Sequence, residues 1–323
     1  MKSPIVHKKQ LAAHASNTAE TRERQTNHTL ATTEKRLTRG SLVATAATAL
    51  LLGGLLLSQA QEYSFDTINV PGATRTSATG NSPTAIAGEL DDANGDTHGF
   101  ILRNGVVTTI DVPGAASTGL NGINASGTFT GTYFDTNANR SFAFVSRDGV
   151  LTKLDPPGAI HSQGGFLNSQ GEVVGGHRNS SGRRLAFLWR NGVFTTIDPS
   201  PGSAIGPVAF GINDRGQIVG TYVDTDDDRH GFLLSNGTYT RLDVPGAAFT
   251  VAQGINNAGQ IVGLYLAADD TIHGFVLSGG VYTTIDIPGA TNTSIYSINA
   301  KGEIVGEFDD ANGTHGFLGT PAH

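Results

Sequence analysis

An all-β ring of six four-stranded blades, a β-propeller, is the fold this sequence predicts, and three observations predict it. A unit of about 43 residues recurs six times. Each copy carries four short apolar-alternating runs separated by turn residues. The first copy begins late and the last ends early, so that the two ends complement each other.

The chain of 323 residues opens with a segment unlike the rest. Residues 1–60 hold eight Lys and Arg against three acids, and Lys35, Arg36 and Arg39 precede an apolar run over 41–57. Ser58-Gln59-Ala60 then places small residues at the −3 and −1 positions of a cut after Ala60. Basic flank, short apolar stretch and small-residue exit read as an export signal, giving an export segment over 1–60 and a propeller over 61–323. The alternative is an uncleaved anchor formed by 41–57, although Thr45, Thr48, Gly53 and Gly54 make that run a short and interrupted membrane span.

The repeat rests on four rows of residues. A Pro-Gly pair recurs at Pro71, Pro113, Pro157, Pro201, Pro245 and Pro288. Asn81, Asn124, Asn168, Asn213, Asn256 and Asn299 follow, with Gly88, Gly131, Gly175, Gly220, Gly263 and Gly306 seven residues beyond each. Phe100, Phe144, Phe187, Phe232, Phe275 and Phe317 complete the pattern. The fourth copy shows the anatomy. Residues 208–212 read as strand A, 217–223 as strand B, 230–234 as strand C and 238–244 as strand D. Asn236-Gly237 joins C to D; Asn104-Gly105, Asn191-Gly192, Asp148-Gly149 and Gly279-Gly280 are its equivalents. Such pairs suit type I′ hairpins, whose two central residues need positive φ.

Tyr63–Val70 reads as a lone strand D, and the last copy stops after strand C at 315–319. The N-terminal strand is therefore expected to complete the last blade and close the ring, leaving no open edge there. A solenoid is the competing architecture, but it would want capping repeats at both ends. The Phe row reads as core packed between adjacent blades, and the Gly row as a place where strands approach closely or bulge.

At these positions the chain resembles a family of bacterial extracellular repeats named for a His-Ala-Phe signature. The signature reads His98-Gly99-Phe100, His230-Gly231-Phe232, His273-Gly274-Phe275 and His315-Gly316-Phe317, with departures at Phe142-Ala143-Phe144 and Leu185-Ala186-Phe187. Gly211-Ile212-Asn213 and Ile218-Val219-Gly220 match as well. The resemblance implies export and repeat architecture, and it supplies no catalytic residues.

Strand order puts the tight A–B and C–D turns on one face and the longer B–C and D–A loops on the other. The B–C loops gather acid, and four of them end at His98, His230, His273 and His315, which makes these histidines candidate ligand-binding residues. Candidate metal ligands are Asp91, Asp92, Asn94 and Asp96; Asp224, Asp226 and Asp228; and Asp309, Asp310 and Asn312. Asp92-Ala93-Asn94-Gly95-Asp96 sets oxygens at alternate positions around a glycine, as Ca²⁺ prefers. It is no EF-hand, because the twelfth position is Leu102 counted from Asp91 and Arg103 counted from Asp92. Asp, Asn and Gly are also what turns need without any ion. Copies two and three fill the histidine position with Phe142 and Leu185, which favours packing over ligation there.

Composition removes several function classes. There is no cysteine, so thiol catalysis, disulfides and Cys-ligated zinc are excluded. Residues 61–323 carry 13 Lys and Arg against 25 acids, without a basic stripe, which argues against nucleic-acid and anionic-membrane partners. No nucleophile–base motif or His-Glu-x-x-His stretch occurs. The expectation is a monomeric, secreted or periplasmic, non-catalytic binding or scaffold propeller for a glycan or surface polymer. It requires no cofactor, with Ca²⁺ the one ion its loops would suit. The alternative is a hydrolase or lyase that works through the acidic B–C face with a divalent cation.

Overall fold

The computed structural model describes residues 31–36, 41–43 and 62–322. Within them six antiparallel sheets, each with four repeat-derived strands, stand around a central channel. Blade 1 comprises Arg75–Ser82, Ala85–Asp91, Thr97–Arg103 and Val106–Asp111. Blade 2 comprises Ser117–Ile123, Phe129–Asp135, Arg140–Arg147 and Val150–Leu154. Blade 3 comprises Ala159–Leu167, Val173–Asn179, Arg184–Arg190 and Val193–Ile197. Blade 4 comprises Val208–Ile212, Ile218–Val223, Arg229–Ser235 and Thr238–Leu242. Blade 5 comprises Phe249–Ile255, Ile261–Leu266, Ile272–Ser278 and Val281–Ile285. Blade 6 comprises Asn292–Ile298, Ile304–Asp310 and Gly313–Pro321, beside which lies Tyr63–Ile68 with Gly316 opposite Ile68 and Pro321 opposite Tyr63. In each blade the first strand, A, is innermost and the fourth, D, outermost.

The hairpins follow the predicted chemistry. Asn104, Asp148, Asn191, Asn236 and Gly279 have φ between 49° and 57°, and the glycine after each is also left-handed. The Phe row is the core: all six rings are at most 1% exposed. Phe144 packs with Ala87, Ile101 and Ile110 of the preceding blade. Phe232 does the same with Val174, Ala186 and Ile197, and Phe275 with Val219 and Leu242. Each such burial stabilises by about 1.5–3 kcal/mol.

The Gly row has a more specific reason than close approach alone. Gly220 lies opposite Phe232 on the neighbouring strand, and a Cβ there would sit 2.1 Å from the carbonyl of Val208 and 2.7 Å from the Phe232 ring. The aromatic ring lies over the glycine, and the other five copies repeat this contact. The bulge falls instead on strand A, between Ala209 and Gly211 in this blade.

The Asn row ties blades together. Asn213 Oδ1 accepts the amides of Arg215 and Gln217, closing the A–B turn. Its Nδ2 donates to the carbonyl of Asn256, one blade on, at 3.0 Å. The same link runs from Asn124 to Asn168 at 3.2 Å, Asn168 to Asn213 at 3.4 Å and Asn256 to Asn299 at 3.1 Å. Asn299 donates at 3.5 Å to the carbonyl of Ser82 rather than to Asn81. In blade 1 the A–B turn is one residue shorter, so Ser82 holds the turn position and its hydroxyl accepts the amide of Thr84. Asn81 lies one place earlier and donates across to the Glu303 carbonyl of blade 6 at 2.9 Å. The expected six-fold Asn row is thus five asparagines and one serine.

Two strands had no counterpart in the sequence reading. Ala31–Arg36 pairs with Val106–Asp111 on the outer edge of blade 1, and Ser41–Val43 with Tyr63–Ile68 on the outer edge of blade 6. The remainder of the expected export segment, including 44–57 and the cleavage site, lies outside the described residues. Among those described, no helix is long and apolar enough to cross a membrane.

Candidate functional site

The B–C face carries the expected acid, and the structure commits most of it locally. Asp92 Oδ1 accepts the amides of Asn94 and Asp96 at 2.7 and 3.0 Å, and Asn94 Nδ2 donates back to Asp92. The amide of Asp96 is the main cause of a depressed Asp92 carboxyl. Asp224 repeats this turn with the amides of Asp226 and Asp228, and Asp310 with that of Asn312. Asp91 accepts from Thr97, and Asp309 from Thr314 and Asn292. The bonds of Asp92, Asp224 and Asp310 to the amides two residues on are the Asx turns that Asp forms without an ion. Among the described residues the one trio with ligand atoms within 4.8 Å of one another is Asp224, Asp228 and His230.

The four histidines do not converge on one site, since each is clamped within its own blade. The Nδ1–H of His98 donates to Asp111 at 2.9 Å, that of His230 to Asp243 at 3.0 Å and that of His273 to Asp286 at 2.9 Å. His315 donates to the side-chain oxygen of Asn69 at 2.8 Å. The acceptor stands in each case two residues before the proline of the Pro-Gly row. Where that histidine is missing, an arginine takes over: Arg183 grips Asp198 with two bonds of 2.9 and 3.0 Å, and Arg140 pairs with Asp155. This is a C-to-D strand clamp with interchangeable cationic or donor groups, and it accounts for the row of Asp and Asn before Pro-Gly. Trp189 is partly buried against the Phe187 cluster, as rim packing requires.

The channel holds a polar site that sequence reasoning missed. Strand side chains alternate faces, so Arg75, Ser77 and Thr79 of the innermost strand of blade 1 all reach the channel pocket. Asn121, Gln163, Phe210, Gln253 and Tyr296 come to it from the innermost strands of the other five blades. The space enclosed, counting solvent open to it, is ≈ 650 Å³. Phe166 and Phe210 supply aromatic faces from blades 3 and 4, and the charged groups come from blades 1 and 6.

Those charges form one cluster. Arg75 donates to Glu89 Oε1 at 2.9 Å and to Glu307 Oε2 at 3.0 Å, and the Tyr296 hydroxyl donates to Glu307 Oε1 at 2.6 Å. Burial lifts the Glu89 carboxyl above its ordinary value, with Arg75 pulling the other way. Burial, then the adjacent Glu307 charge, pushes the Tyr296 phenol well up. Burial alone would lower Arg75, but Glu89 and Glu307 outweigh it and hold the guanidinium charged. Beside this cluster Ser77 Oγ is fully buried and makes no hydrogen bond. A buried unpartnered hydroxyl costs about 1–3 kcal/mol, so Ser77 gains from any donor or acceptor brought within reach of it. The signal in the sequence was asymmetry. One place after the Gly row stand Glu89 and Glu307, where the other copies carry Thr132, Gly176, Thr221 and Leu264.

The sequence matches no family model and no curated protein. In structure the chain is similar to AofleA from Arthrobotrys oligospora, with a TM-score of 0.51 and 13% identity, covering 81% of this chain and 88% of that one. TolB from Acinetobacter baumannii also gives a TM-score of 0.51 at 13% identity, over 74% of this chain and 64% of TolB. A fucose-specific lectin from Aleuria aurantia follows with a TM-score of 0.49 at 12% identity, covering 78% and 97%. At these identities the likeness is one of fold, and the fold is that of a six-bladed β-propeller.

Proposed function

We propose that this chain is an exported, non-catalytic propeller that binds carbohydrate, and that the ligand seats in the central channel. The observation that carries the reading is the buried, unpartnered Ser77 hydroxyl in a pocket with donors, acceptors and two aromatic faces. Ligand sites of this kind combine apolar walls with a few convergent polar groups. Sugars present both surfaces, C–H faces for Phe166 and Phe210 and hydroxyls for Thr79, Asn121, Gln163 and Gln253. The acidic B–C face supports the hydrolase or lyase alternative poorly, because its leading aspartates are spent on their own turns. In the channel, Glu89 and Glu307 are both bound to one guanidinium, and Glu307 has neither oxygen free to act as an acid or base.

The test is a broad glycan array run beside a glycoside hydrolase and polysaccharide lyase panel on the purified protein. Saturable binding without turnover is expected. Turnover of any arrayed glycan would refute the non-catalytic assignment, and silence across the array would refute carbohydrate binding. Export is tested by N-terminal sequencing of the secreted protein, where the mature chain should begin at or near Gln61. A chain retained in membranes with 1–60 attached would favour the anchor.

A further inference from the structure

We infer that the channel site is built for a sugar bearing a protonated amine, with Glu89 as its counter-charge. This rests on the channel being the carbohydrate site. The first observation is the charge census. Arg75 is the one basic side chain that lines the pocket, against the carboxylates of Glu89 and Glu307. Asp91, outside the pocket lining, sets a third acid 3.8 Å from Arg75. Because Arg75 already serves both glutamates, a uronate or sulfate would find no free cation and would meet like charge at short range.

The second observation concerns which acceptors are left over. Both oxygens of Glu307 are occupied, by Arg75 and Tyr296. Glu89 gives Oε1 to Arg75, and its Oε2 takes no hydrogen bond from the described residues. That oxygen points at Gly119, where a Cβ would stand 2.6 Å away, so the glycine leaves room for the carboxylate to sit there. Ser77 lies directly opposite Glu89 in the sheet, and opposed side chains lie on one face about 4.5–5.5 Å apart. Ser77 Oγ, also unpartnered, thus shares a sheet face with Glu89 without bonding to it. An unpaired carboxylate oxygen and a hydroxyl free to accept, in a site with excess negative charge, fit a group with several donors, positive charge and no acceptor, and an alkylammonium is that group. A hydroxyl could satisfy either acceptor, but only the amine also neutralises the cluster.

Calorimetric titration of the full protein in 150 mM salt tests this, using a β-1,4-linked glucosamine trimer, its N-acetylated counterpart and a uronic acid trimer. The amine trimer should bind about tenfold or more tightly than the N-acetylated one, the scale of one charge-assisted hydrogen bond. Glu89→Gln should bring the two to equal affinity. Ser77→Ala, which leaves the ion cluster whole, should weaken the amine trimer selectively and keeps the test decisive should Glu89→Gln fold poorly. Equal binding of amine and N-acetyl forms by the parent, or preference for the uronate, would overturn the inference and leave carbohydrate binding standing. No binding of any saccharide, here or on the array, would overturn both.

Discussion

Replacing Asn256 by Ala probes what holds neighbouring blades in register. The side chain is 5% exposed and makes four hydrogen bonds. Its Oδ1 accepts the amides of Ala258 at 3.0 Å and Gln260 at 3.1 Å; its Nδ2 donates to Gln260 at 2.8 Å and to the Asn299 carbonyl of the next blade at 3.1 Å. Each contributes about 0.5–1.5 kcal/mol net, and the turn amides can recover water, so the loss should total about 2–4 kcal/mol. For a body of this size that lowers Tm by roughly 4–15 °C. Asn256→Asp retains both accepted bonds but sets a buried carboxylate oxygen against the Asn299 carbonyl, so it should melt at or below the Ala variant. Urea denaturation and thermal melting of the three proteins supply the comparison. An Ala variant melting within about 1 °C of the parent would refute the claim that this row couples the blades.

Two further outcomes follow from the seam between blades 1 and 6. Burial raises the folded Glu89 carboxyl above 4.5, so its contribution to stability is full below that pH and is lost as pH rises through the raised value. Parent-minus-variant stability for Glu89→Gln should therefore decline from about pH 4.5 toward neutrality, and a difference in urea midpoint that is flat or rising with pH contradicts the assignment. Deleting Tyr63–Ile68 removes the strand beside Gly313–Pro321 and bares an edge, so aggregation or a large fall in Tm is expected. A truncated body that melts like the parent would show that this strand does not close the ring.

The fold was legible because the repeat writes the same local chemistry many times. Asn236-Gly237 and its equivalents announce hairpins through their left-handed φ, and the Phe row announces core because one ring per blade must fill each inter-blade gap. The row reading slipped at Asn81, where constant spacing to Gly88 hid a turn shortened by one residue, with Ser82 at its corner. The role of the Asp before Pro-Gly was also hidden. Its partner is a histidine in some blades and an arginine two residues earlier in others, as with Asp111 and His98 against Asp155 and Arg140.

The channel cluster was the least legible part. Arg75 and Glu307 are 232 residues apart, and an alternating polar residue on an inner strand looks like one on an outer face until the strands are placed in a ring. The departures from the repeat at Glu89 and Glu307 were visible, but identifying them as partners needed the first and last blades to meet.

The most direct test of the account is a titration of the best-binding array glycan against three proteins: the parent, Ser77→Val, and a variant combining His98→Gln, His230→Gln, His273→Gln and His315→Gln. The channel assignment predicts that Ser77→Val weakens binding about tenfold or more while the histidine variant binds as the parent does. Binding unchanged in Ser77→Val and lost in the histidine variant would move the site to the B–C rim and contradict the account.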